Sequence, residues 1–146
     1  MTDAASPTPR VGLFVTCLVD FFRPRVGFAS VRLLESAGCD VEVPAGQTCC
    51  GQPAYNTGDL GDTRDIAGLV IEPFAGFDYL VAPSASSWGK IRQYPSLFDE
   101  AAEWRPRADE LPGRITRSMP FTTYLLGFPP PDQGFTGRFT SHDECS

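Results

Sequence analysis

The chain has 146 residues, 42% hydrophobic and 21% charged, a balance that fits one globular domain and argues against a disordered or fibrous polypeptide. Its 18 acidic and 12 basic residues leave a net charge of -6, which repels phosphate backbones and argues against a nucleic-acid partner. The longest apolar run, Val11 to Val19, is about half of what a bilayer span needs, so no membrane span and a cytoplasmic location are expected.

Residues 1–9 are polar and proline-containing and are expected to form a disordered arm. Val11 to Thr16 is a continuous apolar run of strand formers, as in a strand buried on both faces of a parallel sheet, and Cys17 stands at its end. Pro24 suits the first turn of a helix. Val26, Ser30, Leu33, Leu34 and Ala37 share one helical face, and Gly38 is placed to cap the C-terminus. Asp40 to Val43 alternates as a second strand, followed by a loop from Pro44 to Pro53 that carries Cys49, Cys50 and Gly51. A helix is expected from Asp62 or Thr63, with Ile66, Leu69 and Val70 turned inward, ending before Pro73.

Asp78 to Ala82 is a third strand, leading through the loop Pro83 to Gly89 into a helix with Ile91, Tyr94 and Phe98. Pro106, Pro112 and Gly113 predict no helix between Trp104 and Gly113, with some helix regained from Ile115 to Leu126. Gly137 to Ser141 reads as a fourth strand, ending in His142-Asp143-Glu144-Cys145. Strands alternating with helices give an α/β fold, an open and mainly parallel sheet with flanking helices. Ligands of such sheets bind beyond the C-terminal strand edge, where Cys17, the Cys49-Cys50 loop, the Ser86-Ser87 loop and Cys145 all fall.

Five cysteines, two of them adjacent, do not make a disulfide framework, and in a reducing compartment clustered thiols point to metal or redox chemistry. Thiolates are soft donors that suit iron-sulfur clusters or zinc. An adjacent pair is awkward for tetrahedral zinc, whose ligands on one loop are normally separated by two to four residues. Gly51 lets the backbone approach a metal with no side chain in the way. Cys39, opening a strand, reads as a buried apolar residue, and Trp88 and Trp104 read as packing residues. Ser84, Ser86 and Ser87 could suggest a hydrolase, but no Gly-x-Ser-x-Gly elbow is present and His142 is the single candidate base. No dinucleotide or Walker pattern occurs.

The spacing Cys17-x31-Cys49-Cys50-Gly51, with Gln52-Pro53 and Asn56-x-Gly58 behind it, resembles the CCG-type cysteine-rich domain family. The stretches Leu13 to Pro24 and Gly46 to Pro53 are close to the form found in lactate utilization protein A. The iron-sulfur subunit of glycolate oxidase and the cysteine-rich subunit of heterodisulfide reductase share the pattern more loosely. The resemblance spans roughly Arg10 to Tyr94 and returns at His142-Asp143-x-Cys145, where the family's second cysteine motif opens.

This resemblance implies one half of a two-repeat protein: a first CCG domain over 10–126, then a linker and the start of a second repeat over 127–146. It implies an iron-sulfur cluster, [4Fe-4S] in type, on Cys17, Cys49 and Cys50 beside Gly51, with Ser87 at a family cysteine position and Cys145 in the second motif. It further implies an oxidoreductase subunit that relays electrons in the oxidation of L-lactate to pyruvate, alongside companion subunits of a lactate utilization complex. Other readings are a glycolate-type subunit, a zinc-bound structural module, and a truncated, non-catalytic paralogue that keeps the fold without a functional cluster. The hydroxyl at Ser87, a far poorer ligand than a thiolate, motivates the last.

Overall fold

The structure, a computed structural model, describes residues 8–100 and 102–127. Four strands, β1 (Arg10–Leu13), β2 (Asp40–Glu42), β3 (Tyr79–Ala82) and β4 (Ile115–Arg117), form one sheet in the order β2-β1-β3-β4, and every pairing is parallel. The expected open α/β sheet is therefore the observed architecture. Each crossover is helical: α1 (Cys17–Phe22) and α2 (Pro24–Ser36) join β1 to β2, and α3 (Gln52–Asn56) and α4 (Leu60–Ile71) join β2 to β3. After β3 come α5 (Ala85–Arg92), a 3-10 turn at Tyr94–Leu97 and α6 (Arg105–Arg114).

Both faces of the sheet are covered, which is why β1 reads as an unbroken apolar run. Val11, Leu13 and Val81 pack on one side with Leu34, Cys39 and Phe121. Phe14, Leu80 and Ala82 pack on the other with Val70, Phe74, Ile91 and Tyr94. Gly12 belongs to this tight packing, because a Cβ there would lie 2.7 Å from Phe74 and 2.9 Å from Phe77. β1 sends its chain to β2 on one side, whereas β3 lies on its other side, so the order of the sheet reverses between β1 and β3. A crevice opens at such a point beyond the C-terminal strand ends.

Several expectations are corrected. Arg105–Arg114 is a helix, α6, where prolines were expected to prevent one. Pro106 sits in its first turn, where no backbone N–H is needed, whereas Pro112 lies inside the helix and forgoes the N–H bond to the Ala108 carbonyl, a cost that tertiary packing of the helix offsets. Ala108 and Leu111 are buried, and the i,i+4 pairs Arg105–Asp109 and Arg114–Glu110 span its outer side.

Ile115–Arg117 is strand β4 rather than renewed helix, paired in parallel with β3. Helical structure resumes only at Ser118–Pro120 and a π turn at Phe121–Leu125. The expected strand at Gly137 to Ser141 lies outside the described residues. Helix α4 starts at Leu60, capped by the Asp59 carboxylate, and its Leu69 is exposed rather than inward. Val26 on α2 is likewise exposed, the buried stripe being Gly27, Ser30 and Leu34.

Candidate thiol site at the strand ends

The site begins where β1 ends. Thr16 caps α1, its hydroxyl accepting from the Val19 N–H at 3.2 Å, so that Cys17 becomes the first residue of the helix. Gln47 then ties the loop after β2 to the end of β1. Its Oε1 accepts from the Val15 N–H at 2.7 Å, and its Nε2 donates to the Pro44 carbonyl at 3.1 Å and the Leu13 carbonyl at 3.4 Å. Held in this way, the loop presents Cys49 to Cys17, with the two sulfurs 3.8 Å apart and both residues half-buried.

Cys50 turns inward from Cys49 and is buried in the core. Ser87 lies in the first turn of α5, not in the expected loop, and its buried hydroxyl donates to the Cys50 sulfur at 3.4 Å. Cys49 is within interaction range of both Cys17 and Cys50. The donors therefore run in a chain, Cys17, Cys49, Cys50, Ser87, contributed by the start of α1, the loop after β2 and the first turn of α5. Gly51 follows with φ +81°, the left-handed turn that starts α3, which explains why glycine stands there. Cys39 is buried in the opposite core, as expected of a packing residue, and Cys145 and His142 lie outside the described residues. Ser84 and Ser86 hydrogen-bond to each other at 2.9 Å.

Electrostatics at the site follow from burial. Burial pushes the Cys50 thiol above its ordinary 9.0, opposed by the Ser87 hydroxyl. Burial, together with the hydrogen bond and charge of Cys49, raises Cys17. Two residues whose role the sequence reading missed support Cys50. The fully buried Tyr94 hydroxyl donates to the Cys50 carbonyl at 2.9 Å. Lys90, the single lysine of the chain, is 2% exposed, its ammonium lying over the Tyr55 ring and donating to Gln93 at 3.3 Å. Burial lowers the Lys90 pKa, opposed by its attraction to Cys50. No local pattern could have found these residues, because Tyr94 acts on a carbonyl distant in sequence and Lys90 through burial.

An open cleft of about 570 Å³ leads to Cys17 and Cys49, walled by Phe21, Phe28, Val31 and Val43. Among the described residues, no three cysteine, histidine or acidic side chains gather round a single ion-sized point. The donor chemistry, three thiols with a hydroxyl beside the third, nonetheless suits a thiophilic group that reaches several sulfurs in turn. No helix among the described residues is long and apolar enough to cross a membrane.

The chain is 43% identical to lactate utilization protein A of Macrococcus caseolyticus, over 93% of this chain and 56% of that protein. It is 40% identical to the Bacillus subtilis protein of that name, over 93% and 57%. It is 43% identical to the one from Exiguobacterium, over 94% and 57%. The chain thus spans little more than half the length of the curated relatives it matches. No solved structure matches it. The cysteine-rich domain model CCG matches residues 11–86, from β1 through the Ser86 turn. With that match covering the three cysteines and the strands that carry them, this chain belongs to the CCG cysteine-rich domain family.

Proposed function

We propose that this chain is an iron-sulfur redox component of L-lactate oxidation to pyruvate, working in the cytoplasm with companion subunits of a lactate utilization system. The observation that carries the reading is the convergence of Cys17, Cys49 and Cys50 at one sheet edge, with 3.8 Å between the first two sulfurs. Cys17, Cys49 and Cys50 would hold the cluster, [4Fe-4S] in type, with Ser87 beside the last. Bound there, the cluster would accept and pass on single electrons, whereas lactate gives up two electrons and two protons on becoming pyruvate.

The residues of this chain have their own tasks in that reading. Gln47 fixes the spacing of Cys17 and Cys49 by fastening one loop to the other. Tyr94 and Gly51 set the path of the backbone as it leaves Cys50. Lys90, whose charge is favoured by Cys50, would offset negative charge on that sulfur once it binds a metal.

A second reading, a non-catalytic paralogue that keeps the fold without a functional cluster, is favoured by one observation, the hydroxyl of Ser87 next to Cys50. Anaerobic purification separates the two. The redox reading expects iron and acid-labile sulfide in the protein and broad visible absorption; a colourless, iron-free chain after reconstitution with iron and sulfide overturns it. Zinc in place of iron on metal analysis would make it a structural module.

A further inference from the structure

Lys90 is buried in the core, and among the described residues no acidic side chain pairs with it. A lysine so deep is normally paired. Its ammonium donates to Gln93 Oε1 at 3.3 Å and lies over the Tyr55 ring, and both partners are neutral. An uncompensated charge is costly to hold out of water, so the position calls for an anion. The elements around Lys90 point to its place. Tyr55 stands on α3, which starts at the Gly51 turn directly after Cys50, and Lys90 stands on α5, whose first turn sets the Ser87 hydroxyl against the Cys50 sulfur. Cys50 is also the group that favours the charge of Lys90. In metal-free protein Cys50 supplies no anion at neutral pH, because burial keeps its proton in place. A thiophilic metal removes that proton. Three thiolates around a divalent ion carry one net negative charge, and each electron the centre then takes up adds another.

We propose that Lys90 is a positioning residue of the centre on Cys17, Cys49 and Cys50: its buried charge favours loading of the thiolate-metal group and biases the loaded centre toward its reduced state. The redox half of this inference rests on the reading under Proposed function, whereas the loading half needs only a metal held through Cys50. A fixed cation in a low-dielectric interior stabilises the more negative of two oxidation states. Net charge and burial are levers by which a protein sets the potential of an iron-sulfur centre, and Lys90 combines both. The ring of Tyr55 and the amide of Gln93 hold the ammonium in place without neutralising it, so its charge is left for the centre.

Lys90→Met keeps most of the side chain and removes its charge. Metal-free parent and variant are first compared by urea denaturation, where the variant is expected to be at least as stable, since an unpaired buried charge has gone. Both are then titrated with cobalt(II), read by the thiolate-to-cobalt charge-transfer absorption, and the variant is expected to bind about tenfold more weakly. After reconstitution with iron and sulfide, the midpoint potential of the variant is expected to fall by about 59 mV, a tenfold change in a one-electron equilibrium. Equal cobalt affinity in the two proteins overturns the proposal and leaves the redox reading standing, and so does an unmoved potential. A variant less stable than the parent without metal overturns it as well, because Lys90 would then be a packing residue, and so does a parent that binds no cobalt through its thiolates. Weaker cobalt binding by the variant, with no cluster formed in the parent, would remove the redox reading and uphold Lys90 as the counter-charge of a metal-thiolate site.

Discussion

The hydroxyl of Tyr94 donates to the carbonyl of Cys50 across 44 residues of sequence, at 2.9 Å and wholly out of water. This bond ties the 3-10 turn after α5 to the cysteine loop at the point where the backbone must reverse into Gly51. Tyr94→Phe keeps the ring and its packing but leaves the Cys50 carbonyl without that donor. The expected loss is about 1–3 kcal/mol of unfolding free energy, the usual cost of stranding a buried polar group. Urea denaturation of parent and variant checks it; a difference below a few tenths would mean that the carbonyl finds another donor.

Gln47 offers a second lever on the same site. Gln47→Leu matches the side chain in bulk but removes the acceptor for the Val15 N–H and the donors to Leu13 and Pro44. The loop carrying Cys49 is expected to drift from Cys17. Incubating metal-free protein with a small-molecule disulfide converts adjacent thiols to a Cys17–Cys49 bridge, with release of two small thiols. The yield of that bridge, read by peptide mass mapping, is expected to fall several-fold in the variant. An unchanged yield would show that the loop is positioned by Cys50 and Tyr94 alone.

Much of this arrangement was legible in the sequence, for a definite reason. β1 is buried on both faces and so reads as a continuous apolar run, and the strand-end rule then places Cys17, Cys49 and Ser87 together without any knowledge of contacts. α6 was not legible, because Pro106 is tolerated only once the helix start is known and Pro112 is carried inside the helix by the burial of Ala108 and Leu111, a tertiary effect. β4, with three residues, is too short to show a period and exists because Ile115 can pair with Leu80. Gln47, Lys90 and Tyr94 act through partners distant in sequence or through burial, and neither has a local signature.

Alkaline pH tests the burial of the site in metal-free protein. Cys17, Cys39 and Cys50 have folded-state pKa values above 9.0, and Tyr94 is well above 10.0, each chiefly from burial. As pH rises through 9.0 the unfolded thiols lose their protons while the folded ones keep them. The unfolded state then binds fewer protons, and stability falls with pH. Lys90 acts in the opposite sense: its folded pKa lies below 10.5, so between the two values the unfolded state holds more protons and stability rises. Three thiols and a tyrosine outweigh one lysine, and the expected net result is a melting midpoint that declines from about pH 9 upward. Tyr94→Phe is expected to remove the part of the decline that sets in above pH 10. A midpoint flat to pH 11 would contradict the burial of these groups.

Ser87 decides between the two functional readings. Its hydroxyl points at the Cys50 sulfur from the first turn of α5, buried and 3.4 Å away, where a thiol would extend the chain of sulfur donors by one. A hydroxyl gives up its proton far less readily than a thiol and is a harder donor, so it holds iron poorly. Ser87→Cys adds one sulfur in a tightly packed position, and a small loss of stability, about 1 kcal/mol, is the expected cost of the extra volume. After anaerobic reconstitution with iron and sulfide, the variant is expected to retain more iron per chain through gel filtration than the parent, and to bleach more slowly in air. Equal iron in both would show that Cys17, Cys49 and Cys50 suffice and would remove the observation behind the paralogue reading. Iron in neither would mean that one missing thiol is not the obstacle, and would leave the CCG fold of this chain serving as a scaffold rather than as a redox centre.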